Sequence, residues 1–125
     1  MISKSSQEPD HLQKGKAFEG KALDFLESRG LSLVERNFSC RRGEIDLIMF
    51  HDQDLVFVEV RYRRNDAFGG AAASIGTKKQ RKIRTAAEAY LQKNDSLMFK
   101  GCRFDVLAIE GEGEALQINW ISDAF

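Results

Sequence analysis

Gly43-Glu44-Ile45-Asp46-Leu47-Ile48-Met49-Phe50 runs into His51-Asp52-Gln53-Asp54 and returns as Leu55-Val56-Phe57-Val58-Glu59-Val60-Arg61-Tyr62-Arg63. Both arms are rich in β-branched and aromatic residues, and the polar link between them is short enough for a hairpin turn. A turn centred between Asp52 and Gln53 pairs residues whose numbers add to 105, so Asp46 faces Glu59 and Glu44 faces Arg61. Directly opposed side chains have Cβ atoms about 4.5–5.5 Å apart.

Side chains alternate along a strand, so one face of this hairpin carries Ile45, Leu47, Met49, Val56, Val58, Val60 and Tyr62. That face is read as core. The other face is apolar near the turn, with Ile48, Phe50, Leu55 and Phe57, and charged at the far end, with Glu44, Asp46, Glu59, Arg61 and Arg63. Apolar residues on both faces predict a central hairpin covered on two sides. Like charges directly across a strand pair are destabilising, so an Asp46–Glu59 pair in such a place needs a compensating cation. Arg61 and Arg63 supply one on a solvated face; a divalent metal supplies one in a buried site.

Outward from the hairpin, Phe18, Ala22, Phe25 and Leu26 recur at helical spacing between about Leu12 and Arg29, and Gly30 is the stop. Glu19 shares a stripe with Gly15, Ala22 and Leu26 and so points near the core. It reads either as a snorkelling edge residue or as a third acidic ligand or water-orienting base. Leu31 to Phe38 reads as the first strand. On the far side, residues 64–76 include Asn65-Asp66-Ala67-Phe68-Gly69-Gly70 and an alanine run without periodicity, a length of loop that is usually functional or mobile. Thr77-Lys78-Lys79-Gln80 predicts a capping box, opening a helix with the core stripe Ile83, Ala86, Ala87, Tyr90 and Leu91. Arg103 to Ile109 and Leu116 to Ile121 read as two further strands, split by Gly111 and Gly113. The order αβββαββ predicts an α/β sandwich, a mixed sheet between helices.

The chain has 125 residues and 42% apolar content, enough for one domain with a real core. Residues 12–125 are expected to form it, behind a disordered N-terminal arm at 1–11. Cys40 and Cys102 lack the spacing of a disulfide framework or a zinc site. No apolar stretch spans a bilayer and the N-terminus lacks a signal-peptide h-region, so a cytoplasmic protein is expected. His11 and His51 have no cysteine or serine placed to make a triad, and Gly69-Gly70 lacks P-loop spacing.

Net charge is zero but unevenly spread. From Arg61 to Arg84 there are eight basic residues against Asp66 alone, whereas from Gly101 onward Arg103 stands against five acids. A basic stretch that begins at the acid pair is the footprint of a phosphate backbone, although many basic helix faces are only solvated. Lys78, Lys79, Arg81 and Lys82 in the first turns of a helix oppose its dipole, a conflict that a bound phosphate relieves.

Helix one with Glu19, then Gly43-Glu44-Ile45-Asp46-Leu47-Ile48, Val56-Phe57-Val58-Glu59-Val60-Arg61-Tyr62-Arg63-Arg64, Phe68-Gly69-Gly70 and Lys78-Lys79-Gln80 together resemble the YraN family of small bacterial proteins, from about Gly15 to the C-terminus. That family is similar to the PD-(D/E)xK nuclease superfamily, nearest to archaeal Holliday-junction resolvases. The resemblance implies a restriction-endonuclease-like fold, magnesium (or manganese) as cofactor, and structured or branched DNA as substrate, with RNA also open. It makes Asp46 the first motif acid, Glu59 the second and Glu19 the helix-one acid, and it puts Arg61 in the lysine place. It also raises a homodimer, as in resolvases that meet two symmetric cuts, though no pairing stripe stands out in the sequence.

Phosphodiester hydrolysis needs an activated water, counter-charge for the transition state and a stabilised leaving oxygen, and carboxylate-held divalent ions help with each. Asp46, Glu59 and the backbone carbonyl of Val60 are the expected metal donors. Arg61 stays protonated and so cannot deprotonate water, yet it can steady developing charge and grip phosphate in bidentate fashion. Arg63, Arg64, Lys78, Lys79, Gln80, Arg81 and Lys82 are the expected nucleic-acid contacts. The functions compared are therefore a metal-dependent endonuclease, a non-hydrolysing nucleic-acid-binding module on the same scaffold and, more remotely, a structural interaction protein.

Overall fold

The computed structural model describes residues 9–63, 75–94 and 99–125, with side chains from residue 17 onward. Its elements are α1 (Pro9–Ser28), β1 (Ser32–Cys40), β2 (Gly43–His51), β3 (Asp54–Arg63), α2 (Thr77–Lys93), β4 (Gly101–Glu110), a short 3-10 turn (Gly113–Ala115) and β5 (Gln117–Ile121). This is the expected αβββαββ order. Helix α1 begins within the stretch assigned to the N-terminal arm; residues 1–8, Arg64 and Phe68-Gly69-Gly70 lie outside the described residues.

The strands lie in sequence order, β1-β2-β3-β4-β5. All neighbours are antiparallel except β3 and β4, which run parallel because α2 crosses between them. The sheet is therefore mixed, with β2 and β3 inside it and a helix over each face, the restriction-endonuclease-like sandwich. Under α1, Ala22 and Leu26 pack on Leu47, Met49, Val56, Val58, Leu107 and Ile109. Under α2, Ile83, Ala86, Ala87 and Tyr90 pack on Phe38, Ile48, Leu55 and Phe57. Double coverage explains why the hairpin is apolar on both faces.

Helix α1 ends as its sequence demands. Gly30 takes φ +97°, its N–H donates to the Glu27 carbonyl, and the Leu31 N–H reaches back to the Leu26 carbonyl. Leu26 and Leu31 are both buried in the same cluster, completing a Schellman stop with its apolar contact.

Helix α2 begins differently from the sequence expectation. Gly76, not Thr77, is the N-cap, and no side chain caps the helix. The Gln80 N–H donates to the Gly76 carbonyl and its side-chain amide to the Ile75 carbonyl, so the capping box is replaced by a backbone start that leaves Thr77 exposed.

The hairpin register holds where the strands are paired: Leu47, Ile48, Met49 and Phe50 face Val58, Phe57, Val56 and Leu55. Pairing stops at Leu47 and Val58, one step before Asp46 and Glu59. The alternation breaks at the same place. Ile45, expected beside Leu47, packs instead with Phe38, Ile48 and Phe57 under α2. The neighbouring strand shows why: Asn37, between Arg36 (opposite Leu47) and Phe38 (opposite Ile45), sits at φ +53°, a left-handed conformation that turns the edge of the sheet.

Candidate active site

The split between β2 and β3 is what builds the site. Freed from cross-strand pairing, Asp46 turns its carboxylate into the gap, where Oδ2 accepts the Val60 N–H at 2.9 Å. The N–H and C=O of one strand residue point to the same edge, so the Val60 carbonyl opens on that gap as well. Glu59 is buried, at 5% exposure, on the α2 face of β3. Its Oε2 meets Arg61 Nη1 at 3.4 Å, two residues along the same face, and Lys79 Nζ at 3.5 Å, reaching down from the first turn of α2.

Electrostatics mark the two acids as one unit. Burial, and after it the Asp46 carboxylate, pushes Glu59 up to about 7, although Lys79 and Arg61 both pull it down. Burial likewise raises Asp46, with Glu44 adding to the shift and the Val60 N–H, Lys79 and Arg61 opposing it. Two cations are therefore too little for the buried Glu59 and the half-buried Asp46 together.

Glu19 approaches from the opposite helix. It too is raised, first by burial and next by Asp46, while the Asn37 side chain and Arg36 lower it. With its amide nitrogen toward Glu19, Asn37 donates to Oε1 at 3.0 Å and Oε2 at 3.3 Å. Glu19 thus feels Asp46 but is held by the left-handed residue of β1.

Asp46, Glu59 and the Val60 carbonyl are the oxygen donors at this gap, the donor type that magnesium or manganese takes, and burial there resists ionisation of both acids. Among the described residues, no group of three or more His, Cys, Asp or Glu side chains is gathered closely enough to hold a metal ion.

Of the expected nucleic-acid contacts, Lys78, Arg81 and Lys82 are exposed on α2, Gln80 is tied to Ile75, and Arg63 is exposed at the end of β3 with Nη1 3.5 Å from the Tyr62 carbonyl. Lys79 differs from its neighbours by turning inward to the acids. His51, read as a turn residue, ends β2 and meets Arg103 through Nδ1 at 3.0 Å. Sequence reasoning passed over Asn37, although asparagine inside a strand is a known signal of left-handed backbone. It also passed over Arg41 and Arg42, a basic pair immediately before the Gly43 motif.

Comparison with known proteins gives the chain a family. The profile of the uncharacterised protein family UPF0102 matches residues 18–109, which include α1 from Phe18, the hairpin, α2 and nearly all of β4. A UPF0102 protein of Pseudomonas syringae pv. syringae is 50% identical over 114 residues, covering 90% of this chain and 93% of that one. Another, from Nitrosococcus oceani, is 49% identical over 115 residues, covering 92% and 93%. The protein of Pseudomonas syringae pv. tomato is 45% identical over 130 residues, covering 100% of this chain and 98% of its own. With a profile that spans most of the chain and relatives matched along nearly their full length, this protein belongs to the UPF0102 (YraN) family, a PD-(D/E)xK-like family.

Proposed function

We propose that the protein is a metal-dependent endonuclease that hydrolyses phosphodiester bonds in structured or branched DNA. The observation that carries this is the Asp46–Glu59 pair at the split of β2 and β3, a half-buried and a buried acid both held above their ordinary range although Lys79, Arg61 and, at Asp46, the Val60 N–H oppose the shift. A bound magnesium or manganese ion would activate water and offset charge on the phosphate. Asp46 and Glu59 would hold it with the Val60 carbonyl, and the Val60 N–H keeps the Asp46 carboxylate aimed into the gap.

Arg61 fills the strand position of the motif lysine, and its fixed charge suits the gripping of phosphate rather than proton transfer. Lys79 brings an ammonium to the same carboxylate from α2 and supplies the lysine that the strand lacks. The two cations thus divide between them what one strand lysine would do. Glu19, hydrogen-bonded to Asn37, would act on the site through its charge rather than as a ligand beside Asp46.

The test is incubation of the purified protein with four-way, flapped, duplex and single-stranded DNA in Mg²⁺ or Mn²⁺. Cleavage that Asp46→Ala and Glu59→Ala abolish, and that Lys79→Met lowers by about 10²-fold or more, is the expected result. Absence of any cleavage that those acid variants remove would sink the enzyme. Tight, salt-sensitive binding without cleavage would instead establish a binding module on the nuclease scaffold, the reading that an arginine in the lysine place favours.

A further inference from the structure

Beside the acid pair, the β1–β2 turn lies against the first turns of α2, and two adjoining open hollows lie along the contact. One, of about 390 Å³, is lined by Arg41, Arg42, Glu44, Lys79 and Lys82 among others. The second, of about 430 Å³, is lined by Arg41, Arg42, Arg81, Lys82 and Thr85. Because they share Arg41, Arg42 and Lys82, they form one track. It runs from Lys79 and Glu44 at the acid pair outward along α2.

Charge in this track is strongly one-sided: five cations line it and Glu44 is its single acid. Among the described residues, no carboxylate comes within ion-pair distance of Arg41, Arg42, Arg81 or Lys82. Arg84, one turn on, is different, since its guanidinium lies over the Phe104 and Phe125 rings. Cations packed together without counter-charge repel one another, and a polyanion laid along them removes that cost.

The track is also built to a fixed width. A Cβ on Gly43 would lie 2.7 Å from the Lys82 carbonyl oxygen, so the strand leaving the turn rests directly on the helix backbone. Only glycine allows that approach. It holds the Arg41-Arg42 pair, on one element, against Arg81 and Lys82 on another, which a solvated basic helix face does not need.

We propose that this track binds the sugar–phosphate backbone of the nucleic-acid strand on one side of the acid pair, with Arg41 and Arg42 as phosphate ligands opposite Arg81 and Lys82. The proposal deepens the nuclease reading, on which it rests for the direction in which the strand leads, but binding itself needs no cleavage. Two guanidiniums on a turn grip phosphate oxygens by paired N–H donors and carry no base readout.

The experiment measures binding of labelled four-way-junction and duplex DNA by fluorescence anisotropy in EDTA, across a salt titration. Arg41→Ala/Arg42→Ala is compared with wild type and with Lys21→Ala/Lys100→Ala, which removes equal charge from exposed sites on α1 and beside the β2–β3 turn. Both pairs are exposed, and thermal melting verifies that each variant is folded. The expected result is at least about tenfold weaker binding by the arginine variant, with its log K against log salt slope shallower by about 2, and little change in the lysine variant. An unchanged slope in the arginine variant, equal losses in both variants, or no salt-dependent binding by wild type would each overturn it. Cleavage in Mn²⁺, assayed separately, tells the two readings apart: binding through the track without cleavage removes only the enzyme, and cleavage with an unaltered salt slope removes only the track.

Discussion

Glu59 and Asp105 are two buried carboxylates on neighbouring strands of the same sheet, and their surroundings could hardly differ more. The parallel register sets Asp105 beside Val58 and Val106 beside Glu59, and alternation sends the two side chains to opposite faces. On the α1 face, Asp105 is surrounded by donors. Arg103 grips it in bidentate fashion, Nε to Oδ1 at 2.9 Å and Nη2 to Oδ2 at 3.2 Å. Trp120 Nε1 donates to Oδ2 at 2.9 Å, and the Asp123 N–H to Oδ1 at 2.9 Å. Arg103 is itself braced by His51 and by Asp54, 3.8 Å from Nη1.

On the α2 face, Glu59 has two cations on one oxygen and a second acid beside it. The difference separates a buried acid whose oxygens are satisfied by fixed donors from one left short of positive charge. A carboxylate whose oxygens are filled by fixed donors has nothing left for a ligand, and it ties three segments of chain together. A carboxylate pair left short of positive charge carries an electrostatic cost that a bound cation or substrate group can relieve.

The same chemical change, acid to amide, breaks the comparison most sharply. Asp105→Asn places an amide nitrogen among donors and leaves the Arg103 guanidinium with only the more distant, part-exposed Asp54 as a charge partner, and a loss of about 3–5 kcal/mol of stability is expected in urea denaturation. At Glu59 the sign reverses. Its carboxyl is held up to about 7 in the folded protein, above the roughly 4.3 of an unfolded glutamate. The folded state therefore binds the proton more tightly. Stability from this group is fully present below about pH 4 and is lost as pH rises toward 7. Glu59→Gln, which cannot ionise, should gain on the order of 2–4 kcal/mol over wild type at pH 8 and little at pH 4. Denaturation of both proteins at the two pH values checks this; equal pH dependence would show that Glu59 is as well compensated as Asp105.

A smaller effect sharpens the contrast from the ligand's side. Mn²⁺ at ten times its dissociation constant should stabilise the wild type by about 1.4 kcal/mol at pH 8, read as a rise in melting temperature. Glu59→Gln should lose that rise, while Arg103→Lys, which weakens only the Asp105 side, should keep it. Equal rises in wild type and Glu59→Gln would place the metal elsewhere.

Much of this molecule was legible residue by residue. The hairpin and its register follow from the two-residue period and a short polar turn, and the Leu47–Val58 pairing agrees. Both helices follow from apolar stripes, and the Gly30 stop follows from the need for a left-handed residue. The face of Ile45 was misplaced because strict alternation ignores the turn in the sheet at Asn37 and Asp46. The capping box was misplaced because Gly76 starts α2 through its carbonyl alone. Asp105 looked like one acid among five in the C-terminal part, since nothing in a one-dimensional pattern shows Arg103, Trp120 and Asp123 converging on it.

By itself, then, the sequence determined the order of elements and the central hairpin that carries Asp46 and Glu59, because periodicity and turn chemistry act over a few neighbouring residues. Only the tertiary structure decided that β2 and β3 part at Asp46, that Lys79 of α2 joins Arg61 at Glu59, and that Arg41 and Arg42 face Arg81 and Lys82. Those outcomes depend on how closely a turn and a helix approach each other across the sheet, down to the missing Cβ of Gly43, and on how deeply each charge is withdrawn from water. Distances of that kind arise when distant segments pack, and no local spacing encodes them.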